Sequence, residues 1–349
     1  MAPGSRQSIP PMDIGPAFGS KPCGPPLSEG ERVPAHLDRR RFALGLPIAA
    51  LGLAFGGSAR AQLAGLVEER ESQYSTIYVT RSGPIYSMVF GINRTLFTES
   101  LYNPAQPREL PVEYTRTMTA AVAYPPAVNN ILEIGLGGGT TAQYLHLHMP
   151  AANITCVEID KEVIALATKY FGFKQDARLR AVEEDGRRFF ARDRGRYDVI
   201  MVDAYRGTFV PFHLLTKEFF TIVKSRLTPG GAVAQNIEPC TMLYPAAVNT
   251  LRAVFANVDL YEASGNVVAI AYDSPAKTPA QLTARATALQ AANHFRHPLP
   301  ALLAARKITR ANMAGGRVLV DDFAPAEALA GVQRGNDRNA QSRTGLCPR

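Results

Sequence analysis

Several kinds of sequence feature are missing from this 349-residue chain, and each absence excludes a class of protein. It has only four cysteines, Cys23, Cys156, Cys240 and Cys347, and no two lie close together. That spacing argues against a disulfide framework or a Cys-based metal centre. Lys and Arg number 38 against 30 Asp and Glu, a net charge of +8, yet the positive residues are scattered. Without a long basic run, no nucleic-acid module is indicated. No internal repeat is visible. Charged residues make up 19% and hydrophobic residues 46%, the balance of an ordinary globular protein and not of a disordered one.

The first sixty residues differ from the rest. Residues 1–37 are rich in Pro, Gly and Ser without hydrophobic periodicity. Asp38-Arg39-Arg40-Arg41-Phe42 follows, then the uncharged stretch Ala43 to Ser58 and the Ala59-Arg60-Ala61 site. A basic segment, a short apolar segment and an A-x-A site predict a secretory signal, too short and too rich in Gly and Ala to span a membrane. Arg-Arg-x-Phe resembles a twin-arginine export signal. Residues 1–61 are therefore expected to be a leader and signal peptide, and the mature protein to be periplasmic and a client of the twin-arginine machinery. An uncleaved anchor is the alternative.

Residues 62–125 are expected to form a small β-hairpin subdomain and a linking helix. From Ser72 to Phe97, short runs of β-branched and aromatic residues alternate with Gly and Asn turns, and Val112 to Ala123 is apolar at helical spacing. Residues 126–330 alternate strand and helix, which predicts an α/β domain with a mostly parallel sheet covered on both faces. Its strands are placed at Ile131–Ile134, Ile154–Ile159, Leu179–Val182, Tyr197–Val202 and Ala232–Gln235. A terminal antiparallel pair follows at Val258–Tyr261 and Val267–Tyr272. The Ala-rich stretch 274–314 is helical in pattern, and residues 331–349 read as a disordered tail.

Acidic groups and glycines gather where these strands end. Gly135, Gly137 and Gly139 lie in a loop between the first strand and its helix, where bare backbone and free N–H groups can meet a ligand. Glu158 closes the second strand, about 20 residues on, where a carboxylate can accept ribose hydroxyls. Asp185 and Gly186 follow the third strand, where an acid can accept from an adenine amino group. Asp203 and Tyr205 follow the fourth. Ligands of open α/β sheets bind at these carboxyl ends, so the pattern predicts a nucleoside site.

With those residues in view, the chain resembles the spermidine synthase (polyamine aminopropyltransferase) family, in particular its bacterial spermidine-synthase-like branch. The matching segments are Ser72-Gln73-Tyr74, ILEIGLGGGT, VEIDKEVI, EEDGRRFF, YDVIMVDA, HLLTKEFF, LTPGGAVAQ and VLVDDFAPAEAL. The resemblance implies a Rossmann-like seven-stranded methyltransferase-type sheet preceded by the small β-hairpin subdomain. It further implies decarboxylated S-adenosylmethionine as co-substrate, a small-molecule amine as acceptor, no metal, and a homodimer. Asp203 takes the place of the general base, and Tyr74, Tyr205 and Arg206 fall at the substrate end. A polyamine nitrogen, with a pKa of about 10, must give up a proton before it can attack.

Three positions depart from the family pattern. Gly138 stands where an Asp usually helps to hold the aminopropyl amine, Arg206 replaces a second acid, and Ser75 replaces a Gln. All three changes disfavour a cationic diamine such as putrescine. Glu133 resembles the acid that opens the glycine motif of ordinary methyltransferases, so intact S-adenosylmethionine and methyl transfer form a second reading. A noncatalytic periplasmic binding protein is the third.

Overall fold

The computed structural model describes residues 63–92, 95–207, 210–239, 243–307 and 313–322. The expected signal peptide, the expected tail, Cys23, Cys240 and Cys347 lie outside these described residues.

Four strands open the structure: β1 (Leu66–Glu71), β2 (Thr76–Ser82), β3 (Ile85–Ile92) and β4 (Thr95–Tyr102). They form one antiparallel meander in chain order. The sequence pattern starts the hairpins at Ser72, so β1 is an addition. Its sequence, LVEERE, hides a strand behind its charges, because an edge strand can hold its place by pairing on one side and ion pairs on the other. Glu68 is hydrogen-bonded to Arg70, Lys169 and Tyr170, and Arg70 reaches Glu162 at 2.7 Å. A small core of Ile77, Val79, Met88, Val163, Leu166 and Phe171 lies beneath.

The expected linking helix is real but divided: α1 (Glu113–Met118) tightens into a 3-10 turn over Thr119–Ala123. The large sheet then follows the predicted alternation. It comprises β5 (Asn130–Ile134), β6 (Asn153–Glu158), β7 (Leu179–Glu183), β8 (Tyr197–Val202), β9 (Leu227–Ile237), β10 (Asn257–Ala263) and β11 (Asn266–Tyr272). Its helices are α2 (Thr140–His148), α3 (Lys161–Tyr170), α4 (Gly186–Arg192), α5 (Lys217–Arg226) and α6 (Tyr244–Val254). The strand order is β10-β11-β9-β8-β5-β6-β7, with β11 antiparallel to both of its neighbours. This is the seven-stranded methyltransferase-type sheet expected. Because β5 has β6 on one side and β8 on the other, the chain leaves their carboxyl ends in opposite directions and opens a crevice there.

Other strands of this sheet shift at their ends by a residue or two, and β9 departs most from its predicted extent. β9 begins at Leu227 and runs through Pro229-Gly230-Gly231, which the sequence suggested as a helix stop. A register shift opposite Tyr197/Val199 absorbs the irregular residues. The sheet divides two apolar cores. The Ala-rich segment supplies α7 (Pro279–Asn293) and α8 (Leu299–Ala304), which cover one face together with α2 and the 3-10 turn. Helices α4 to α6 cover the other. Cys156, fully buried on β6, is a free thiol within the first core.

Candidate active site

The glycine loop is shaped by the protein around it. Gly135 has φ +90°, and a Cβ there would come within 2.4 Å of the Asp203 carbonyl oxygen. Gly139 has φ +67°, and its Cβ would meet the Phe173 ring at 2.6 Å. A Cβ on Gly137 would lie 2.7 Å from Ser100 Oγ, and one on Gly186 only 2.3 Å from Ile134 Cγ2. The sequence pattern assigns these four glycines to a ligand, but what they first admit is neighbouring strands and rings. The structure also accounts for Gly138. Phe171 and Ser100 occupy the space that its side chain would fill, and its N–H donates to Ser100 Oγ at 2.8 Å.

Glu158, buried at the end of β6, is locked by backbone amides. Its Oε2 accepts from Leu136 N at 2.9 Å and its Oε1 from Asp160 N at 3.0 Å. Burial pushes its pKa up, and the two amides pull it back. Each carboxylate oxygen keeps a further lone pair, so ribose hydroxyls can still be accepted here. The glycine loop and Glu158 thus come together as predicted.

Asp185 has a different set of partners from those its expected adenine role would suggest. Its Oδ1 caps α4 by accepting from Arg187 N and Arg188 N, and its Oδ2 lies 2.8 Å from His213 Nε2. The His213 hydrogen bond, first of all, holds this carboxyl below its usual range. His213 opens the matching segment HLLTKEFF, but nothing in the sequence paired it with Asp185.

Asp203 is the opposite case. The residue as a whole is half-buried, but its carboxyl group is desolvated, which pushes its pKa up to about 7. Asn236 Nδ2 donates to its Oδ1 at 2.9 Å, and the Tyr114 hydroxyl is a second partner. Burial and the nearby Asp203 charge keep Tyr114 and Tyr205 protonated far above the ordinary phenol range. Glu133 is buried on β5, where desolvation and then Asp203 push it up as well. Tyr205 is half-buried, Arg206 is exposed, and Tyr74 lies at the exposed β1–β2 turn. Tyr74 has no part in the hydrogen bonds that hold Asp203; Tyr114 does. In the sequence, Tyr114 stands out only as one residue of a helical run. Among the described residues no group of three or more His, Cys, Asp or Glu is arranged to hold a metal ion.

Sheet, loop and carboxylates together place the chain in the methyltransferase-like fold class. A solved structure with this fold, a probable spermidine synthase from Corynebacterium glutamicum, superposes with a TM-score of 0.56 at 18% identity, covering 74% of this chain and 98% of that one. The Spermine/spermidine synthase domain family matches residues 113–265, from α1 through the β10–β11 turn. A polyamine aminopropyltransferase from Chromobacterium violaceum is 30% identical over 207 residues, 58% of this chain and 78% of the other. A probable polyamine aminopropyl transferase from Bifidobacterium longum is 38% identical over 148 residues, 41% of this chain but 33% of that longer protein. The chain belongs to the spermidine synthase (polyamine aminopropyltransferase) family.

Proposed function

We propose that the protein transfers an aminopropyl group from decarboxylated S-adenosylmethionine to an amine acceptor, with Asp203 as general base. The observation that carries this reading is the environment of Asp203. It lies against the glycine loop at the switch point, and its pKa of about 7 matches a base working near neutrality. The acceptor nitrogen bonds to the propyl carbon, the C–S bond breaks with its electron pair going to the sulfonium sulfur, and the proton leaves nitrogen for Asp203. Glu158 and the glycine loop hold the nucleoside, with Asp185 and Gly186 at the base end, and Tyr114 and Tyr205 line the acceptor end. The test is to incubate purified protein with the decarboxylated co-substrate and a panel of amines, and to follow methylthioadenosine by mass spectrometry. Its formation, dependent on an amine, is expected; none with any acceptor would remove the reading.

A second reading, methyl transfer from intact S-adenosylmethionine, is favoured by one observation. Phe171 and Ser100 close the space at Gly138, where the family's amine-holding acid would stand. Release of S-adenosylhomocysteine in the same assay would select it. We also propose twin-arginine export and a periplasmic site of action, on the strength of the Arg39-Arg40 segment and the Ala59-Arg60-Ala61 site. N-terminal sequencing of native protein should then find Gln62 first, and replacement of Arg39 and Arg40 by Lys should block export.

A further inference from the structure

Asp203 is held by a chain of side-chain amides that begins on the far hairpin of the sheet, and the significance of that chain rests on the role of Asp203 as base. Val202 pairs with Gln235 across β8 and β9, so Asp203, one step past β8, falls beside Asn236. Asn236 in turn pairs with Val268 on β11. Asn266, two residues before Val268, is its diagonal neighbour on the same face. The side chains follow that register. Asn266 Nδ2 donates to Asn236 Oδ1 at 3.0 Å, and Asn236 Nδ2 donates to Asp203 Oδ1 at 2.9 Å.

The position of Asn266 is set by the tight β10–β11 turn. Ser264 (φ +31°) and Gly265 (φ +87°) are the two residues between the paired Ala263 and Asn266. Two left-handed residues in sequence give a hairpin turn whose twist suits its strands. The same turn reaches α1, where the Ser264 hydroxyl donates to Glu113. Glu113 is next in sequence to Tyr114, the second partner of Asp203. Both groups that hold the acid are therefore tied to one hairpin.

We propose that the β10–β11 hairpin is a positioning element for the base, with Asn236, backed by Asn266, holding the Asp203 carboxylate as an acceptor in one orientation. The polarity of the chain gives the physical reason. With its oxygen occupied by Asn266, the Asn236 amide presents only N–H to Asp203, and an ionised carboxylate can only accept. The relay therefore favours the ionised, proton-accepting form against the desolvation that opposes it. The other groups facing Asp203 are Tyr114 from α1, Glu133 from β5 and Tyr205 in its own loop. Glu99 of β4 acts on both phenols, and Glu238 beyond β9 acts on Tyr205. Of the named partners, Asn236 and Tyr114 are the ones that pull the Asp203 pKa down.

The test reads Asp203 directly, by carboxyl ¹³C NMR titration of the full chain, with the signal assigned through Asp203→Asn. The wild type should titrate near 7. Asn236→Leu should raise the midpoint by roughly one to two pH units, the scale of a hydrogen bond to a charged group. Asn266→Ala should raise it less, because Asn236 remains but is free to turn. Where turnover is measurable, the acid limb of the kcat profile should move by the same amount with the nucleoside KM unchanged. An unmoved midpoint in folded Asn236→Leu would overturn the proposal. If that variant does not fold, an unmoved midpoint in Asn266→Ala overturns it. Absence of turnover in the wild type would sink the transferase reading while leaving this titration interpretable.

Discussion

The two halves of the crevice hold their carboxylates in contrasting ways. Glu158, on the proposed nucleoside side, is gripped by the backbone N–H groups of Leu136 and Asp160. Asp203, on the proposed acceptor side, is held by the Asn236 and Tyr114 side chains. Backbone amides belong to the fold and pin an acid as a permanent acceptor. The Tyr114 hydroxyl can accept as well as donate, so unlike a backbone N–H it can follow Asp203 through a change of protonation state. The first arrangement suits binding and the second suits chemistry, and substitutions at the two acids should separate them.

The largest effect should come from Asp203→Asn. Turnover should fall by roughly 10²–10⁴, the range for loss of a general base, while calorimetry shows nucleoside affinity unchanged. If affinity falls as well, the two halves are not separable. On the other side, Glu158→Ala should weaken nucleoside binding by about ten- to a hundredfold, the scale of a lost hydrogen bond to a charged group of ~1.5–3 kcal/mol. Equal affinity in the two proteins would show that Glu158 serves only to brace the glycine loop.

The same contrast has a pH signature. In the proposed role Asp203 can accept a proton only when ionised, so kcat should fall as pH drops through about 7. Stability should move in the other direction. With a folded pKa above its unfolded value of about 3.9, Asp203 binds more protons in the folded than in the unfolded state across that window. Its contribution to stability therefore declines as pH rises from about 4 to about 7. Asp203→Asn should remove that component from a series of thermal melts, and melts with the same pH dependence as wild type would contradict it.

The smallest effect is expected at Arg206. Its exposed side chain makes the charge argument against diamines weaker than the sequence suggested, because solvent screens an exposed pair to about 1 kcal/mol or less. Arg206→Asp should change the KM for putrescine by at most about fivefold. A larger gain would show that Arg206 turns into the crevice once a ligand is bound.

Much of this molecule was legible in the chain itself. The order of strands and helices followed from hydrophobic periodicity, because a parallel strand buried on both faces, such as Tyr197–Val202, is apolar throughout. The glycine loop, Glu158 and Asp203 were found because the carboxyl ends of successive strands must converge at one edge of the sheet. The partners of those residues were not legible. Asn236 sits one residue past the motif LTPGGAVAQ, Asn266 looks like a turn residue, and Tyr114 is a single aromatic residue in the short helix EYTRTM. Their roles depend on register between β9 and β11 and on where α1 docks. The pKa of Asp203 depends on the same packing. Sequence by itself determined which residues reach the crevice, because local periodicity sets strand ends. Tertiary structure decided which of them hold an acid still and which let it titrate, because hydration and hydrogen-bond partners come from segments far apart in the chain.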